Sequence, residues 1–470
     1  MASPRPSIST LRDLRGSGYA ARSVREEIRE NLLARLRSGK PIFEGVLGYE
    51  DSVVPAVENA LLCGHDLIFL GERGQAKSRM MRQLVSLLDE WLPVIPGCQI
   101  LEDPFAPLGA DAHERLAREG EGCEVAWVHR DERYVEKLAT PDTSIADLIG
   151  DVDPVRVAEG RSLSDPGTIH FGLIPRTHRG IFCINELPDL TEKVQVGLFN
   201  IMEERDVQVK GYRLRLPVDV LVVASANPED YTSRGRIITP LKDRYAAQIR
   251  THYPPTRELE LAIVRQEAAL PEAPGVRLHV PPFMEDLVAE LTFQARSSPD
   301  VNQASGVSVR MTIANYETLA ANAVRRALRA GESEAVPRIS DLDALQASTS
   351  GKLELEYAGG ERSEGDVVRD LVRRATKIAF DARCDGIDLA AVVAAFDQGW
   401  RVEVSSSMPA ALVLSGLDEL PQLRDAAERL AGSQSPVRLA ASVEFLLEGL
   451  HLSNRLNKSQ GTGAARYGRG

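Results

Sequence analysis

The sequence is poor in cysteine, and its 5 cysteines are odd in number and scattered over 470 residues. This usage argues against a disulfide framework and favours a reducing compartment. The sequence also lacks any apolar run approaching the roughly 20 residues of a membrane-spanning helix, and its first residues lack the apolar core of a secretory signal. We therefore expect a cytoplasmic protein that does not engage a membrane.

An excess of basic residues is missing as well, because the formal net charge is −12. Charges of both signs are mixed along most of the chain, so the electrostatic footprint of a general nucleic-acid binder is absent and no nucleic-acid partner is expected. What the sequence does contain is 43% hydrophobic and 26% charged residues, the composition of a globular protein. Its length predicts two or three folded units.

Short apolar runs separated by helical periodicity extend from residue 42 to about residue 250. The runs are "HDLIFLG", "GIFCINE", "DVLVVASANP" and "AAQIRTHYP", and such continuous strands suit a buried parallel sheet. A leading helix is predicted over residues 23 to 38, with Ser23 as its N-cap and Gly39 as its stop. Helical patterns dominate after "HYPPTRE", so the prediction is an α/β domain followed by a helical one.

A glycine-rich turn follows the first run, in "LIFLGERGQAKSRMMRQL". Its pattern G-x-x-G-x-A-K-S is typical of a phosphate-binding loop, in which backbone amides surround an anion while Lys77 and Ser78 reach phosphate and magnesium. We call residues 71–78 the phosphate loop. It consists of Gly71, Glu72, Arg73, Gly74, Gln75, Ala76, Lys77 and Ser78. Ala76 stands where a glycine is usual, and we expect the alanine to be tolerated if that residue already has helical dihedrals.

Two other apolar runs end in polar residues. After "GIFCI", Asn185 is predicted to contact the magnesium hydration shell, and Glu186 is predicted to polarise the attacking water. Asn227 ends another run and is placed to hold a water against the terminal phosphate, although Asn before Pro is also an ordinary turn residue. Because Asn185 stands where Asp is usual, we expect weaker magnesium binding and a lower magnesium requirement in an Asn185→Asp variant.

Arg244, in "LKDRY", is an always-charged fork suited to the charge that develops on a transferred phosphate. Arg234 and Arg236, in "TSRGR", are competing candidates for this role. A surface salt bridge with Asp243 or another neighbour is the alternative interpretation of Arg244.

In their order, these motifs resemble the AAA+ ATPases of the MoxR and magnesium chelatase I-subunit group, over roughly residues 42 to 345. The matching stretches are "GERGQAKS" as Walker A, "GIFCINE" as Walker B, "VVASANPED" as sensor 1 and "PLKDRY" as the arginine-finger segment. The stretch "SGVSVRMTIANYE" fits the sensor 2 helix, which gives Arg310 a nucleotide-contacting role. The segment "LFNIMEERDVQVKGYRLRLPVDV" looks like the group's inserted hairpin, with alternation at Val207, Val209, Leu214 and Leu216.

The resemblance implies ATP and Mg²⁺ as cofactors and an AAA+ P-loop NTPase core with a parallel sheet. The predicted domains are an N-terminal helical extension in residues 1–41, the α/β nucleotide-binding domain in 42–253, an α-helical lid in 254–358, and a mostly helical C-terminal region with a disordered tail in 359–470. The resemblance also implies a homo-oligomeric ring, most often a hexamer, in which Arg244 acts on the neighbouring subunit. The implied partners are a protein client and a protein with a von Willebrand factor A domain.

These inferences together predict an ATP-hydrolysing motor that remodels or activates a protein partner. Within the same group, the motor subunit of a magnesium chelatase is the alternative. A nucleotide-gated scaffold with little hydrolysis also stays open, because Asn185 lacks a charge. An activator of transcription is less favoured, since neither end of the chain contains a clear basic recognition helix.

A zinc site is a further hypothesis for the segment between "GERGQAKS" and "GIFCINE". Cys98, His113, Cys123 and His129 are ligand types that zinc accepts. Their spacing lacks a C-x-x-C knuckle, so buried thiols and surface histidines are the simpler explanation.

Overall fold

The computed structural model describes residues 4–153, 155, 158, 168–206, 216–227, 235–356, 363–460 and 464–468. The chain divides into two compact units, Met1–His252 and Tyr253–Gly470.

A parallel sheet forms the centre of the first unit. The strands in its described residues are β1 (Leu67–Leu70), β2 (Trp91–Val94), β3 (Ala126–His129), β4 (Tyr134–Leu138), β5 (Gly150–Val152), β6 (Ile169–Phe171), β7 (Gly180–Asn185), β8 (Val220–Ala226) and β9 (Ala247–Arg250). The five strands β4, β7, β8, β1 and β9 lie side by side in this order, and all neighbouring pairs are parallel. This confirms the α/β prediction, and the four quoted apolar runs are β1, β7, β8 and β9.

Hydrophobic clusters cover both faces of this sheet. In β7, Ile181 and Cys183 belong to one cluster, whereas Phe182 and Ile184 belong to the other, because successive side chains of a strand point to opposite faces. The helices described in this unit are Leu11–Gly16, Val24–Ser38, Val53–Leu62, Lys77–Gln83, Ala110–Glu119, Ile145–Leu148, Leu173–Arg176, Glu192–Gly197, Phe199–Glu203 and Thr239–Arg244. Burial on both faces explains why the strands are continuous apolar runs.

The leading helix contributes to this core. It begins after Ser23, which forms a capping box, and ends at Gly39, whose φ of 68° is left-handed, as the sequence predicts. Val24, Ile28 and Leu32 on its inner face are buried in one of the two clusters that cover the sheet. The helix therefore packs as part of the first unit.

The second unit is mainly helical and shares one large hydrophobic cluster, whose members extend from Val264 to Tyr467. Its described helices are Arg257–Glu267, Pro282–Ser297, Val309–Ala330, Leu345–Thr349, Glu364–Arg383, Ala390–Asp397, Ala410–Val413, Pro421–Ala431 and Pro436–Leu452. Its described strands are β10 (Arg277–Leu278), β11 (Glu334–Ala335), β12 (Val402–Val404), β13 (Asn457–Gln460) and β14 (Ala465–Gly468). The cluster thus crosses the boundary predicted near residue 358.

The C-terminal tail differs from the prediction of disorder. Strands β13 and β14 pair antiparallel, and β14 also pairs with β12. The physical reason is Tyr467, which is completely buried and donates a hydrogen bond to Glu448. One buried aromatic anchors the pairing, although the surrounding composition is glycine-rich and basic.

The predicted hairpin falls partly outside the described residues, which exclude Val207, Val209 and Leu214. At its base, Asp206 and Pro217 form an antiparallel bridge, and Leu216 is buried. In the part of the chain that the structure describes, no helix is long and apolar enough to cross a membrane.

Candidate functional site

The carboxyl ends of the central strands bring the predicted site residues together. Strand β1 ends at Leu70 and leads into the phosphate loop, β7 ends at Asn185, and β8 is followed by Asn227. Since β7, β8 and β1 are adjacent and parallel, these residues share one edge of the sheet. We call this edge the carboxyl edge.

Lys77 lies at the centre of the carboxyl edge, and only 7% of its surface is exposed. Its Nζ donates to Asn227 Oδ1 at 2.6 Å, to the backbone oxygen of Glu72 at 2.8 Å, and to that of Gly71. A buried ammonium needs such acceptors, because burial without partners penalises a charge. The phosphate loop is therefore folded around the side chain of its own lysine.

Side chains from outside the phosphate loop hold its shape. Thr251, which follows β9, donates to Gln75 Oε1 at 2.6 Å, and Tyr49 Oη contacts the Gln75 backbone oxygen at 3.0 Å. Burial raises the pKa of Tyr49 to about 12, so it remains a neutral donor. A Cβ at Gly71 would collide with Thr251 and Gln75, which explains the glycine at this position.

Ala76 does not have the helical dihedrals under which an alanine is expected to be tolerated at this position. Its φ is 56° and its ψ is 13°, in the left-handed region. In this region the Cβ of an L-residue approaches the following carbonyl oxygen, and glycine avoids that cost. The usual glycine therefore has a conformational reason, and the alanine of this chain stores strain in the phosphate loop.

Asn185 is hydrogen-bonded to two hydroxyl groups through its amide oxygen. Ser225 Oγ donates to Asn185 Oδ1 at 3.1 Å, and Ser78 Oγ lies 3.4 Å from the same oxygen. Hydroxyl and amide oxygens are hard ligands of the kind that magnesium takes, directly or through its waters. The donor set at Ser78 and Asn185 is thus compatible with a magnesium ion.

Glu186 follows β7 in a strained conformation, with φ 56° and ψ 52°. Its carboxylate accepts a hydrogen bond of 2.8 Å from Asn227 Nδ2, and its backbone amide donates to Ser225 at 3.3 Å. Non-glycine residues held in the left-handed region cluster at functional sites. Asn227 joins the two predicted functions directly, because one end of its amide accepts from Lys77 and the other donates to Glu186.

Glu136, which is not among the predicted site residues, lies on β4 beside β7. Its carboxylate accepts from Arg82 Nε at 2.7 Å and Nη2 at 2.9 Å, and also from Asn185 Nδ2. Hydrogen bonding to Arg82 lowers the pKa of Glu136, so the carboxylate stays ionised at neutral pH. The only signal in the sequence is a glutamate within the short apolar stretch "YVEKL".

Arg244 lies at the end of the helix Thr239–Arg244, where it has partners within its own chain. Its guanidinium contacts Glu203, donates to the Pro240 oxygen at 2.7 Å, and stacks on the Phe199 ring at 4.5 Å. The salt-bridge interpretation therefore describes this structure, and the role on a neighbouring subunit stays a prediction.

The structure says little about the other candidate arginines, Arg234, Arg236 and Arg310. Arg236 is 74% exposed in its side chain and lies 3.8 Å from Glu192, whereas Arg234 falls outside the described residues. Arg310 belongs to the second unit, where it is exposed in the first turn of the helix Val309–Ala330. Its predicted contact with a nucleotide stays a prediction.

The four residues of the zinc hypothesis are not gathered into a cluster. Cys98 and Cys123 belong to a small hydrophobic cluster, and burial raises the pKa of Cys123. His113 contacts the Gly109 oxygen at 2.9 Å, and His129 packs edge-on against Trp91. Among the described residues, no group of three or more His, Cys, Asp or Glu side chains has an arrangement that could hold a metal ion.

Comparison with known proteins identifies one matching family model and several curated relatives. Residues 164–242 match the model of the Sigma-54 interaction domain. The magnesium-chelatase subunit ChlI of Nostoc sp. is 25% identical over 257 residues, which cover 53% of this chain and 63% of that protein. The ChlI subunit of Mesostigma viride is 26% identical over 276 residues, covering 56% of this chain and 71% of that protein. These similarities support the predicted resemblance to AAA+ ATPases of the MoxR and magnesium chelatase I-subunit-like group.

A solved structure with a distant likeness to this chain is a complex of the magnesium chelatase subunits BchI and BchD. It is 18% identical, covers 71% of this chain and 100% of that one, and has a TM-score of 0.35. The chain spans less than two thirds of the length of the Nostoc subunit.

Proposed function

We propose that this AAA+ chain binds ATP with Mg²⁺ and hydrolyses it at the carboxyl edge. The observation that carries the proposal is the continuous hydrogen-bonded series Lys77–Asn227–Glu186. It links the residue suited to holding phosphate to the carboxylate suited to activating a water, although 109 positions separate Lys77 from Glu186 (186 − 77 = 109).

Each residue of the series has a distinct part in this proposal. Lys77 exchanges its present acceptors for phosphate oxygens, which carry more negative charge than backbone carbonyls. Asn227 is then released to orient a water, and Glu186 accepts the proton from that water. Ser78 and Asn185 would hold Mg²⁺, which when bound neutralises charge on the phosphates.

Nucleotide binding measured by titration calorimetry tests the first step. Wild-type protein is expected to bind ATP, and Lys77→Ala is expected to lose tight binding because no other side chain in the phosphate loop supplies this cation to the phosphates. The matched control is Lys40→Ala, which removes an exposed lysine outside the phosphate loop and should retain binding. Equal affinities for wild type and Lys77→Ala would refute the assignment.

At the level of the whole molecule, we propose that hydrolysis drives the remodelling or activation of a protein partner within a homo-oligomeric ring. The motor subunit of a magnesium chelatase is the second candidate function, because the curated relatives described above are subunits of that enzyme. Stimulation of hydrolysis by a protein with a von Willebrand factor A domain would support the first. Magnesium insertion into a porphyrin by reconstituted subunits would support the second.

A further inference from the structure

An acidic residue from a neighbouring strand contacts the predicted magnesium ligand. Glu136 on β4 accepts a hydrogen bond from Asn185 Nδ2 and a pair of hydrogen bonds from Arg82. The parallel register places Glu136 opposite Cys183, two residues before Asn185, so that its side chain reaches along β7 toward the carboxyl edge. The side chain of Glu136 is 18% exposed, whereas that of Arg82 is 64% exposed.

This contact fixes the orientation of the Asn185 amide. An ionised carboxylate only accepts hydrogen bonds, so Glu136 must face the amide nitrogen of Asn185. The amide oxygen then faces the hydroxyl groups of Ser78 and Ser225. A hydrogen bond to a carboxylate also polarises the amide, which makes its oxygen a stronger acceptor.

We propose that Glu136 is a positioning residue for Mg²⁺. Through its hydrogen bond with Asn185, Glu136 supplies the negative charge that an aspartate at position 185 would carry itself. The inference rests on the proposed function and adds to it a residue outside the family's motifs. It explains why the substitution of Asp by Asn at the end of β7 is compatible with a magnesium site. The negative charge lies on Glu136, the hydrogen-bond partner of residue 185, and the Asn185 amide transmits its effect to the site.

The proposal adds a loss of stability to what is expected of Asn185→Asp. In this variant two carboxylates would lie within hydrogen-bond distance of each other, and like charges at such a distance repel. The variant should unfold at a lower temperature than wild type. The exchange variant Glu136→Gln/Asn185→Asp should regain the lost stability, because the amide and carboxylate are again paired, with their positions swapped.

Arg82→Gln provides the matched control for Glu136→Gln. Both changes break the same ion pair, but only Glu136→Gln removes the carboxylate that Asn185 contacts. Because Arg82 is largely exposed, the ion pair itself should contribute little. A purely structural role of the pair would make the two variants behave alike.

The test measures the affinity of the full chain for a fluorescent ATP analogue, first in EDTA and then across a MgCl₂ titration. Wild type, Glu136→Gln, Arg82→Gln and the exchange variant are compared, and thermal melts verify folding. Glu136→Gln should keep its affinity in EDTA but require about tenfold more Mg²⁺ for half of the magnesium-dependent gain, as is typical when an outer-shell partner is lost. Arg82→Gln should stay within about twofold of wild type, and the exchange variant should return close to wild type.

Three results would overturn the inference. One is an unchanged Mg²⁺ requirement in Glu136→Gln, and another is an equal shift in Arg82→Gln. The third is a loss of affinity by Glu136→Gln in EDTA as well, since Glu136 would then support the loop and not the ion. Failure of wild type to bind the analogue in either condition would instead refute the proposed function, and the inference with it.

Discussion

Replacing Ala76 with glycine should stabilise the first unit, although the same change in a helix destabilises. Ala76 has a φ of 56°, and a left-handed conformation costs an L-residue roughly 1–2 kcal/mol. Glycine removes this cost but gains conformational freedom in the unfolded chain, which costs about 0.4–1 kcal/mol. The difference between the central values is a net stabilisation of about 0.8 kcal/mol, or about 2–3 °C in the unfolding temperature of a unit of this size.

Differential scanning calorimetry of the full chain measures this shift, with Ala34→Gly as the matched control. Ala34 is exposed in the middle of the helix Val24–Ser38, where glycine should destabilise by about 1 kcal/mol. The two identical chemical changes should therefore have opposite signs. If Ala76→Gly lowers the unfolding temperature as Ala34→Gly does, the left-handed conformation of the phosphate loop is refuted.

Two other predictions concern subunit cooperation and pH. Arg244→Ala should bind ATP but hydrolyse it at least about 10³-fold more slowly. Mixing Arg244→Ala with Lys77→Ala protein should restore activity, because some interfaces then combine an intact phosphate loop with an intact Arg244. Rings that form in the mixture without any gain in phosphate release would contradict a role of Arg244 between subunits. His178 is buried and accepts from the Asp219 amide at 3.0 Å, and burial lowers its pKa from 6.5 to about 3. Between pH 3 and pH 6.5, the unfolded chain therefore binds more protons at His178 than the folded chain does. The contribution of His178 to the free energy of unfolding is complete above pH 6.5 and decreases by up to about 1.4 kcal/mol per pH unit below it. His178→Asn, whose side-chain oxygen can accept the same amide, should have a flatter pH dependence of the unfolding free energy, and identical pH profiles in urea titrations would contradict this.

The sequence predicts the central strands well because their burial on both faces demands continuous apolar residues. Strands β1, β7, β8 and β9 all have this signature, whereas β4 at the edge of the sheet contains Glu136 and Lys137 and was missed. In the structure Lys77, Glu186 and Asn227 lie at one edge of the sheet, because carboxyl ends of adjacent parallel strands coincide, and their chemical roles stay predictions.

The sequence could not predict the backbone conformation of the phosphate loop or the pairing register of the strands. The left-handed backbone of Ala76 depends on how the phosphate loop closes over Lys77, and a residue name does not determine φ. The contact between Glu136 and Asn185 joins residues 49 positions apart and depends on the pairing of β4 with β7. The disorder predicted for the tail failed for a similar reason, since the partner of Tyr467 is Glu448 in a preceding helix.

Phosphate release from ATP by the purified chain, compared with that of Glu186→Gln, tests the central claim most directly. Glu186→Gln keeps the size of the side chain and an oxygen that can accept the hydrogen bond from Asn227, but it removes the carboxylate that accepts a proton. Wild type should release phosphate at saturating Mg²⁺, and Glu186→Gln should bind ATP with similar affinity and release none. Wild type that binds ATP but releases no more phosphate than Glu186→Gln, with or without a protein partner, would contradict hydrolysis and leave a nucleotide-gated scaffold in its place.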